Sequence, residues 1–424
     1  MLSLLPNVVV AQIVSAPIPL ERRFITQHQE IRPLPGELND VLVFNSNSPE
    51  VIKTEGILLS TFASDGKRNP QAHLNQPLTG RFDLFSHHIA RPPLGEKRTL
   101  YQGVLVYNPN SQPVTLNILQ AGSHLTSLDA PFIELPPKVE DPFGRVFSGP
   151  GSRLMGDILR GINEPEFPSQ IVIPAQQSRM LFSLPITNGS ARSTFMRLQS
   201  DGPIYMANLA MYAIPNPPSV EKLTKVEEDG KKTITPPPLT FREPTLAEWQ
   251  ELLIRGNLAG PRDRPPTPLD NSSEEKIFGR VAGISVGSEW LATVVDSPSD
   301  SRLTIPRRGE AFSYPLSTVN SITFGTKQVQ TAPMLVRYAD TAFRAHGNYG
   351  VHYNLTLPLF NNTREPHRVT LSIQTPWEQD KYPDRLFFVK PAQGQVFFRG
   401  TVRFTYQNDW GRQTVRYFHL VQRQ

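Results

Sequence analysis

Alternating apolar and polar residues dominate two long stretches of the chain, one before residue 215 and one after residue 277. β-Branched and aromatic residues at every second position predict half-buried strands, and clusters of Asn, Pro, Gly and Ser between them predict turns. We predict strand pairs over 101–120 around Asn-Pro-Asn-Ser, over 193–212 around Ser-Asp-Gly-Pro, and over 385–422 around Gln-Asn-Asp-Trp-Gly. The pattern therefore predicts a mainly β fold.

The alternation stops between residues 216 and 276, where proline-rich and mixed-charge runs replace it. Segments of this composition are extended and bury little surface, so we predict a linker. Within it, Thr245-x-x-Glu248 matches a capping box, Gly256 is a stop signal, and the apolar residues between them fall on one helix face. We predict one short helix over 245–255 that docks onto a neighbouring domain.

The two strand-rich stretches share short motifs in the same order, which indicates a duplicated unit. Val-Thr-Leu-Asn-Ile at 114–118 lines up with Val-Thr-Leu-Ser-Ile at 369–373, and Pro-Ala-Gln follows at 174–176 and at 391–393. Two unrelated sandwiches that use ordinary hairpin residues are the alternative. The motifs favour two β-sandwich or jelly-roll-like modules, which duplication would relate to each other.

The amino terminus and one insertion complete the predicted organisation. Residues 1–11 are apolar and end in Val9-Val10-Ala11, which signal peptidase accepts, although a charged region before them is missing. An ordinary first strand is the alternative. The insertion carries a short helix that we predict to be capped by Ser152 and ended by Gly161. The predicted segments are a secretory-signal remnant (1–11), a first module (12–215) with an insertion (129–168), the linker (216–276) and a second module (277–424).

Composition narrows the classes of protein without identifying one. The 424 residues include 42 prolines and no cysteine, and 43 Lys and Arg against 38 Asp and Glu give a net charge of +5. Without cysteine there is no disulfide scaffold, thiol nucleophile, iron–sulfur cluster or cysteine zinc site. No apolar run reaches the ~18 residues that a membrane-spanning helix needs, so we expect no transmembrane span.

Three patterns are candidates for chemistry, and each also has a structural explanation. Gly283-x-Ser285-x-Gly287 matches a hydrolase nucleophile elbow, but its surroundings predict strands, so a turn between strands is the better interpretation. His346 and His352 with Asp340 have the residue types of a metal site, although the intervening glycines favour a structural turn. The loop at 149–153 offers free N–H groups to an anion but lacks a Walker ending. We predict no catalytic residue, metal or cofactor.

Polar, aromatic and glycine residues are densest between positions 337 and 352, so a binding site is expected there first. The candidate binding residues are Arg337, Tyr338, Asp340, Arg344, His346, Asn348, Tyr349 and His352.

The last 44 residues form a second candidate, because they carry eight Lys and Arg against two Asp, with aromatic residues between them. This pattern suits binding to an anionic surface, but a solvated basic strand face over an aromatic inner face is the better interpretation. The candidate residues are Arg399, Arg403, Arg412 and Arg416. An exported protein would meet an anionic glycan or lipid headgroup there rather than nucleic acid.

Long motifs in the second half are similar to those of a known family. They include Phe-Gly-Arg-Val-Ala-Gly-Ile-Ser at 278–285, Ala-His-Gly-Asn-Tyr-Gly-Val at 345–351, Phe-Phe-Arg-Gly-Thr-Val at 397–402 and His-Leu-Val-Gln at 419–422. On these residues the chain resembles a cyanobacterial family of exported proteins catalogued only as a domain of unknown function. The resemblance implies a cyanobacterial origin and export, and it brings no activity or catalytic residue with it.

Two functions remain open from the sequence. We expect a non-enzymatic protein of the periplasm, outer cell surface or medium, structural or binding, whose partner is an envelope protein, a polysaccharide or a second copy of the chain. The alternative is an enzyme that acts on envelope or extracellular polysaccharide. That alternative needs two carboxylates roughly 5–10 Å apart in a cleft, a geometry that sequence alone does not reveal.

Overall fold

The computed structural model describes residues 22–217, 223–226, 232–235, 239–271, 276–392, 394 and 396–423. Strands make up 42% of the chain and helices 6%, so the predicted mainly β fold is confirmed. The predicted signal remnant at residues 1–11 lies outside the described residues, as does part of the proline-rich linker.

The first half of the chain supplies thirteen of the described strands and one α-helix. The strands are β1 (Arg23–His28), β2 (Glu30–Ile31), β3 (Leu42–Ser46), β4 (Val51–Ile52), β5 (Gly56–Ser60), β6 (Leu78–Ala90), β7 (Leu100–Tyr107), β8 (Val114–Leu125), β9 (Lys138–Glu140), β10 (Gln170–Ile173), β11 (Ser178–Ile186), β12 (Ala191–Tyr212) and β13 (Ile214–Pro215). Helix α1 (Pro150–Arg160) lies between β9 and β10, and a 3₁₀ turn spans Pro70–Ala72.

The second half supplies the other described strands and a second helix, α2 (Leu246–Arg255). The strands are β14 (Leu223–Val226), β15 (Lys232–Thr235), β16 (Phe241–Arg242), β17 (Ala282–Val286), β18 (Glu289–Thr293), β19 (Leu303–Thr304), β20 (Phe312–Ser313), β21 (Ala332–Arg337), β22 (Arg344–Ala345), β23 (His352–Thr356), β24 (Leu359–Phe360), β25 (Arg385–Lys390), β26 (Val396–Gln407) and β27 (Gln413–Arg423). None of the helices in the described part of the chain has the length and apolar character to cross a membrane.

The long strand β12 organises a twelve-stranded sheet whose main path runs β10-β8-β12-β6-β3-β17-β21-β22. Residues 191–200 of β12 pair with β6 on one side and β8 on the other, whereas residues 205–212 pair with β5 and β7. Side chains from β7, such as Val104, share the largest buried core with side chains from β8, such as Leu116. One strand therefore supports two groups of neighbours that enclose a common core.

Two of the predicted turns are wrong, and β12 explains both. β7 and β8 were expected to form a hairpin, but each pairs with a different end of β12 and not with the other. The expected turn at 200–203 falls inside β12, where the ladder to β6 is interrupted between Ser200 and Ile204 and the strand continues. The predicted hairpin of β26 and β27 is confirmed over residues 396–423.

Strand pairs connect the two predicted modules. β17 pairs with β3 and β21, so the second stretch contributes to the main sheet of the first. β1 pairs with β25, β2 with β20, and β9 with β27. The duplicated jelly-roll modules are not confirmed by this arrangement. The division of the chain into two modules at the linker stays a prediction. Both strand-rich stretches contribute strands to the main sheet.

Helix α2 confirms the predicted capping box and the predicted docking of the linker. The Thr245 hydroxyl accepts from the Glu248 N–H at 3.4 Å, and the Glu248 carboxylate accepts from the Thr245 N–H at 2.8 Å. Trp249 and Leu253 are buried in a core cluster with side chains of β5, β7 and β12. A Cβ at Gly103 would lie 2.7 Å from the Trp249 ring, so this glycine admits the indole.

Helix α1 ends at Gly161 as predicted, but its predicted cap is wrong. Gly149 occupies the N-cap position without a side-chain hydrogen bond, and the helix begins at Pro150, which suits a first turn because proline lacks an N–H. The Ser152 hydroxyl instead accepts from the Ser148 N–H at 2.7 Å. Leu154 and other apolar residues of α1 pack on β3, β6 and β12.

Candidate functional site

The first residues of the predicted binding site at 337–352 fasten a tight turn to the core. The Arg337 guanidinium donates to the carbonyls of Tyr338 and Thr341 and lies 3.9 Å from the centroid of Phe343. The buried Tyr338 hydroxyl donates to a backbone carbonyl, and Asp340 forms a bidentate pair with Arg262 at 2.8 and 3.0 Å. That pairing lowers the pKa of Asp340.

The remaining residues of this predicted site are divided between structural bonds and exposed positions. Arg344 donates to the Thr331 carbonyl at 2.7 Å, and the Asn348 amide donates to Ser317 Oγ and Tyr353 Oη at 3.0 and 3.1 Å. Tyr349 is exposed and stacks on Phe85 with ring centroids 5.8 Å apart. These side chains hold the loop in place and do not converge on one cavity in the described part of the molecule.

The two histidines of this region have different surroundings. His346 lies 4.5 Å from the Phe278 ring, and burial together with the Arg344 charge lowers its pKa to about 4. His352 Nδ1 is 3.2 Å from Glu289 Oε1, and burial lowers its pKa despite that carboxylate. Among the described residues, no group of three or more His, Asp or Glu side chains has a geometry that could hold a metal ion.

The Gly283-x-Ser285-x-Gly287 motif, which we interpreted as a turn between strands, lies mostly within β17, and only Gly287 falls in the connection to β18. Ser285 is buried in β17, paired with Val43 of β3 and with Met334 of β21. A Cβ at Gly283 would lie 2.1 Å from the Val336 carbonyl oxygen, so this glycine allows β17 and β21 to approach. The motif therefore serves sheet packing.

A different serine does lie beside a histidine and an acid. Ser193 Oγ is 2.7 Å from His87 Nδ1, and His87 Nε2 is 3.9 Å from Glu50. A catalytic serine must be reached by substrate, yet Ser193 is completely buried, and Glu50 is engaged by Arg280. Burial and the Arg280 charge lower the pKa of His87 to about 4.

Sequence reasoning missed a compact cluster of titratable groups among the described residues, which we call the His124 cluster: His124, Asp129, Asp157 and Glu164. His124 Nε2 is 2.8 Å from Asp157 Oδ2, and its Nδ1 is 2.9 Å from Asp129 Oδ2 and 3.3 Å from Glu164 Oε1. Arg153, in the loop at 149–153, pairs with Asp129, so its guanidinium is already bound to a carboxylate. The carboxylates thus surround the imidazole and do not flank an open cleft.

The His124 cluster favours a charged imidazole. Burial alone lowers the pKa of His124, but the hydrogen bond to Asp157 and the charges of Glu164 and Asp129 outweigh it, so the pKa is raised above 6.5. Burial also raises the pKa of Glu164. Three members lie within the predicted insertion and His124 lies on β8, so the cluster fastens the insertion to the main sheet.

The insertion also contacts the β26–β27 hairpin. β9 pairs with β27, and a Cβ at Gly156 would lie 3.0 Å from Thr401 Oγ1, which places α1 directly against β26. Arg160 is half-buried, pairs with Asp141 at 2.9 Å and lies 4.2 Å from the Tyr417 ring centroid. The insertion is thus a layer between the main sheet and the hairpin.

The hairpin distributes the predicted anionic surface over both of its faces. The residues concerned are Arg399, Arg403, Arg412 and Arg416. Arg399 and Arg403 of β26 lie on the strand face that contacts α1, because they are an even number of positions apart. Arg403 also donates to the Leu159 carbonyl at 3.4 Å. Arg416 pairs across from Phe404 on the other face and binds Glu140 at 2.7 and 2.8 Å, while Arg412 lies beside the turn.

The face turned away from α1 carries a row of rings, which we call the aromatic face: Phe398, Phe404, Tyr406 and Phe418. The strand register places them on one side, because Val402, between Phe398 and Phe404 on that face, pairs with Phe418. Phe398 is 42% exposed and Tyr406 45% exposed, and Phe404 meets Phe418 edge to face at 5.6 Å. Lys138 and Arg416 border the Phe418 ring at 5.3 Å.

A family model described as a protein of unknown function (DUF3370) matches residues 29–424. The chain belongs to this family. No curated protein and no solved structure matches the chain. The part of this DUF3370 protein that is matched contains the His124 cluster, the insertion and the aromatic face. The family description supplies no activity, so the functional argument depends on the geometry of these features.

Proposed function

We propose that this protein is a non-enzymatic, exported cell-envelope or extracellular protein that binds a polysaccharide on its aromatic face. Export is supported by the apolar Val9-Val10-Ala11 ending and by the resemblance to a cyanobacterial family of exported proteins. The observation that carries the binding proposal is the row of rings on the three-stranded sheet β26-β27-β9, of which Phe398 and Tyr406 are exposed.

Sugar rings suit such a surface because they present C–H groups on one side and hydroxyls at their edge. The C–H groups pack on aromatic rings, and the hydroxyls bond to charged side chains beside them. Phe398 and Tyr406 offer the exposed rings, and Glu140 with Arg416 offers a planar charged pair at the border. Phe398 also lies flat along the strand, since a Cβ at Gly400 would be 3.3 Å from its ring.

The enzymatic alternative receives less support from the same structure. The His124 cluster presents its carboxylates to an imidazole, and Ser193 is completely buried beside His87. Two of the cavities among the described residues have volumes of about 410 Å³, beside Glu134 and Arg423, and about 20 Å³, beside His346. Neither is lined by the His124 cluster or by Ser193.

The test is co-sedimentation of the purified protein with isolated cyanobacterial peptidoglycan sacculi and, in parallel, affinity electrophoresis in gels that contain released exopolysaccharide. We expect binding to at least one, and we expect the double variant Phe398→Ser, Tyr406→Ser to weaken it at least about tenfold, which is 1.4 kcal/mol. The matched control is Phe360→Ser, a partly exposed ring on β24 that lies outside the aromatic face.

Three results would contradict the proposal. The wild-type protein binds neither polysaccharide, the double variant binds as tightly as the wild type, or the control variant loses binding to the same extent. Reducing ends are measured in the same samples. Their release by the wild type would support the enzymatic alternative.

A further inference from the structure

The loop between β24 and β25 contains a stretch without any hydrogen bond to the rest of the described chain. Bonded turns precede it, where Asn361 accepts from Thr363, and follow it, where the Trp377 N–H donates to the Phe387 carbonyl at 2.7 Å. Between them, residues 366–374 make no hydrogen bond with described residues. We call this stretch the free segment. Its peptide groups are left to water.

The free segment has the pattern of a strand although it is not one in the structure. Val369, Leu371 and Ile373 alternate with Thr370 and Ser372, which is typical of a strand with one apolar face. Val369 is 41% exposed and Leu371 59% exposed. A β-patterned segment with open peptide groups and exposed apolar side chains is suited to add to the edge of a sheet.

The same chain shows which strand pairs with a sequence of this kind. Val114-Thr115-Leu116-Asn117 of β8 pairs antiparallel with β10, and the free segment repeats it as Val369-Thr370-Leu371-Ser372. β10 is the terminal strand of the main path, and no strand of the described residues pairs with its other edge. Val172 of β10 is 53% exposed. The structure thus contains both an open edge and a second copy of the sequence that pairs with that strand.

The register of β8 on β10 sets the register expected for the free segment. Thr115 of β8 pairs with Val172 of β10. An antiparallel addition of the free segment in the same register places Thr370 opposite Val172.

We propose that the free segment adds to β10 of a second copy of this chain, and that the exchange is reciprocal in a two-fold symmetric dimer. A second copy is favoured over the same molecule because both the free segment and the β10 edge are open in one chain. The contact is small compared with standard interfaces of ~1,600 Å², so a weak dimer is expected. This proposal does not depend on polysaccharide binding.

Sedimentation velocity between about 1 and 100 µM tests the proposal, a range chosen because small interfaces are weak. The wild-type dimer fraction rises with concentration, and Thr370→Pro, which removes a peptide N–H and disfavours a central strand, weakens dimerisation at least tenfold. Arg364→Pro, in the same exposed loop but before the free segment, is the matched control and dimerises like the wild type. Thermal unfolding establishes that both variants are folded.

Cysteine cross-linking tests the register, and the absence of native cysteine makes the result specific. Equal amounts of Thr370→Cys and Val172→Cys proteins are mixed and oxidised, and a disulfide-linked heterodimer is expected. Val172→Cys mixed with Arg364→Cys is the control and gives less of it. The proposal is overturned if the wild type stays monomeric at every concentration, if Thr370→Pro dimerises normally, or if both mixtures cross-link equally.

Discussion

The substitution Tyr338→Phe tests how much one buried hydroxyl contributes to the contact between the two strand-rich stretches. Tyr338 follows β21 in the second stretch, and its Oη accepts from the Ser60 N–H at 2.9 Å and donates to the Ala72 carbonyl at 2.8 Å in the first. All three groups are buried. Burial is also the main reason why the pKa of Tyr338 is raised, so the hydroxyl stays neutral at all ordinary pH values.

The expected loss follows from the two partners that the substitution leaves behind. A buried N–H or C=O without a partner costs about 1–3 kcal/mol, so two of them give about 2–4 kcal/mol once partial relaxation is allowed. An unfolding entropy of about 2.1 cal/mol/K per residue over 424 residues is about 0.9 kcal/mol/K, which converts the loss into a Tm decrease of about 2–4 °C for one cooperative transition.

The assay is urea unfolding followed by tryptophan fluorescence, with calorimetry for the Tm. The matched control is Tyr349→Phe, which removes the same hydroxyl from a side chain that is 59% exposed and stacks on Phe85 through its ring. We expect the control to change stability by less than about 0.5 kcal/mol. Equal stabilities of the two variants would refute the reasoning, because the buried bonds would then contribute nothing measurable.

Two further predictions concern charge and packing. The pKa of His124 is raised in the folded protein, so its contribution to stability is fully present below pH 6.5 and is lost as the pH rises through the folded-state pKa. In urea unfolding, His124→Gln should therefore destabilise the protein more at pH 6 than at pH 9. An equal loss of stability at both pH values contradicts this. Trp249→Ala should lower the free energy of unfolding by about 3–5 kcal/mol because the indole is buried against Gly103. The control Trp410→Ala, at an exposed turn, should lower it by less than about 0.5 kcal/mol. Similar losses in the two variants contradict the docking of α2.

Local signals were sufficient for the elements that local chemistry determines. The Thr245 and Glu248 capping box, the Gly161 stop and the hairpin of β26 and β27 each depend on residues a few positions apart, and each is confirmed. The apolar face of α2 also indicated its docking, because Trp249 is removed from water only when the helix packs against another element. The mainly β class follows from the alternation, which is a property of every strand separately.

Pairing partners were not predictable from the same signals. A short polar connection such as 108–113 is compatible with a hairpin of β7 and β8 and also with a link between two groups of strands. The long strand β12 selects the second arrangement, because β7 and β8 pair with different parts of it. The prediction of Ser152 as the N-cap was wrong because the helix begins earlier, with Gly149 as its N-cap at a φ of 85°. The His124 cluster joins β8 with residues 5, 33 and about 40 positions away, a spacing that carries no periodic signal.

The insertion gives these features a common role, because it connects the aromatic face to the rest of the molecule. On one side its carboxylates hold His124 of the main sheet, and on the other Arg160 contacts Tyr417 while β9 pairs with β27. A hairpin alone is at best marginally stable in water, and two exposed rings make it less so. The third strand and helix behind it are what allow this hairpin to expose Phe398 and Tyr406 as a flat surface. If the aromatic face binds polysaccharide as proposed, the insertion supports that binding, and His124→Gln is expected to lower affinity in the co-sedimentation assay although none of the cluster's residues lies on the aromatic face.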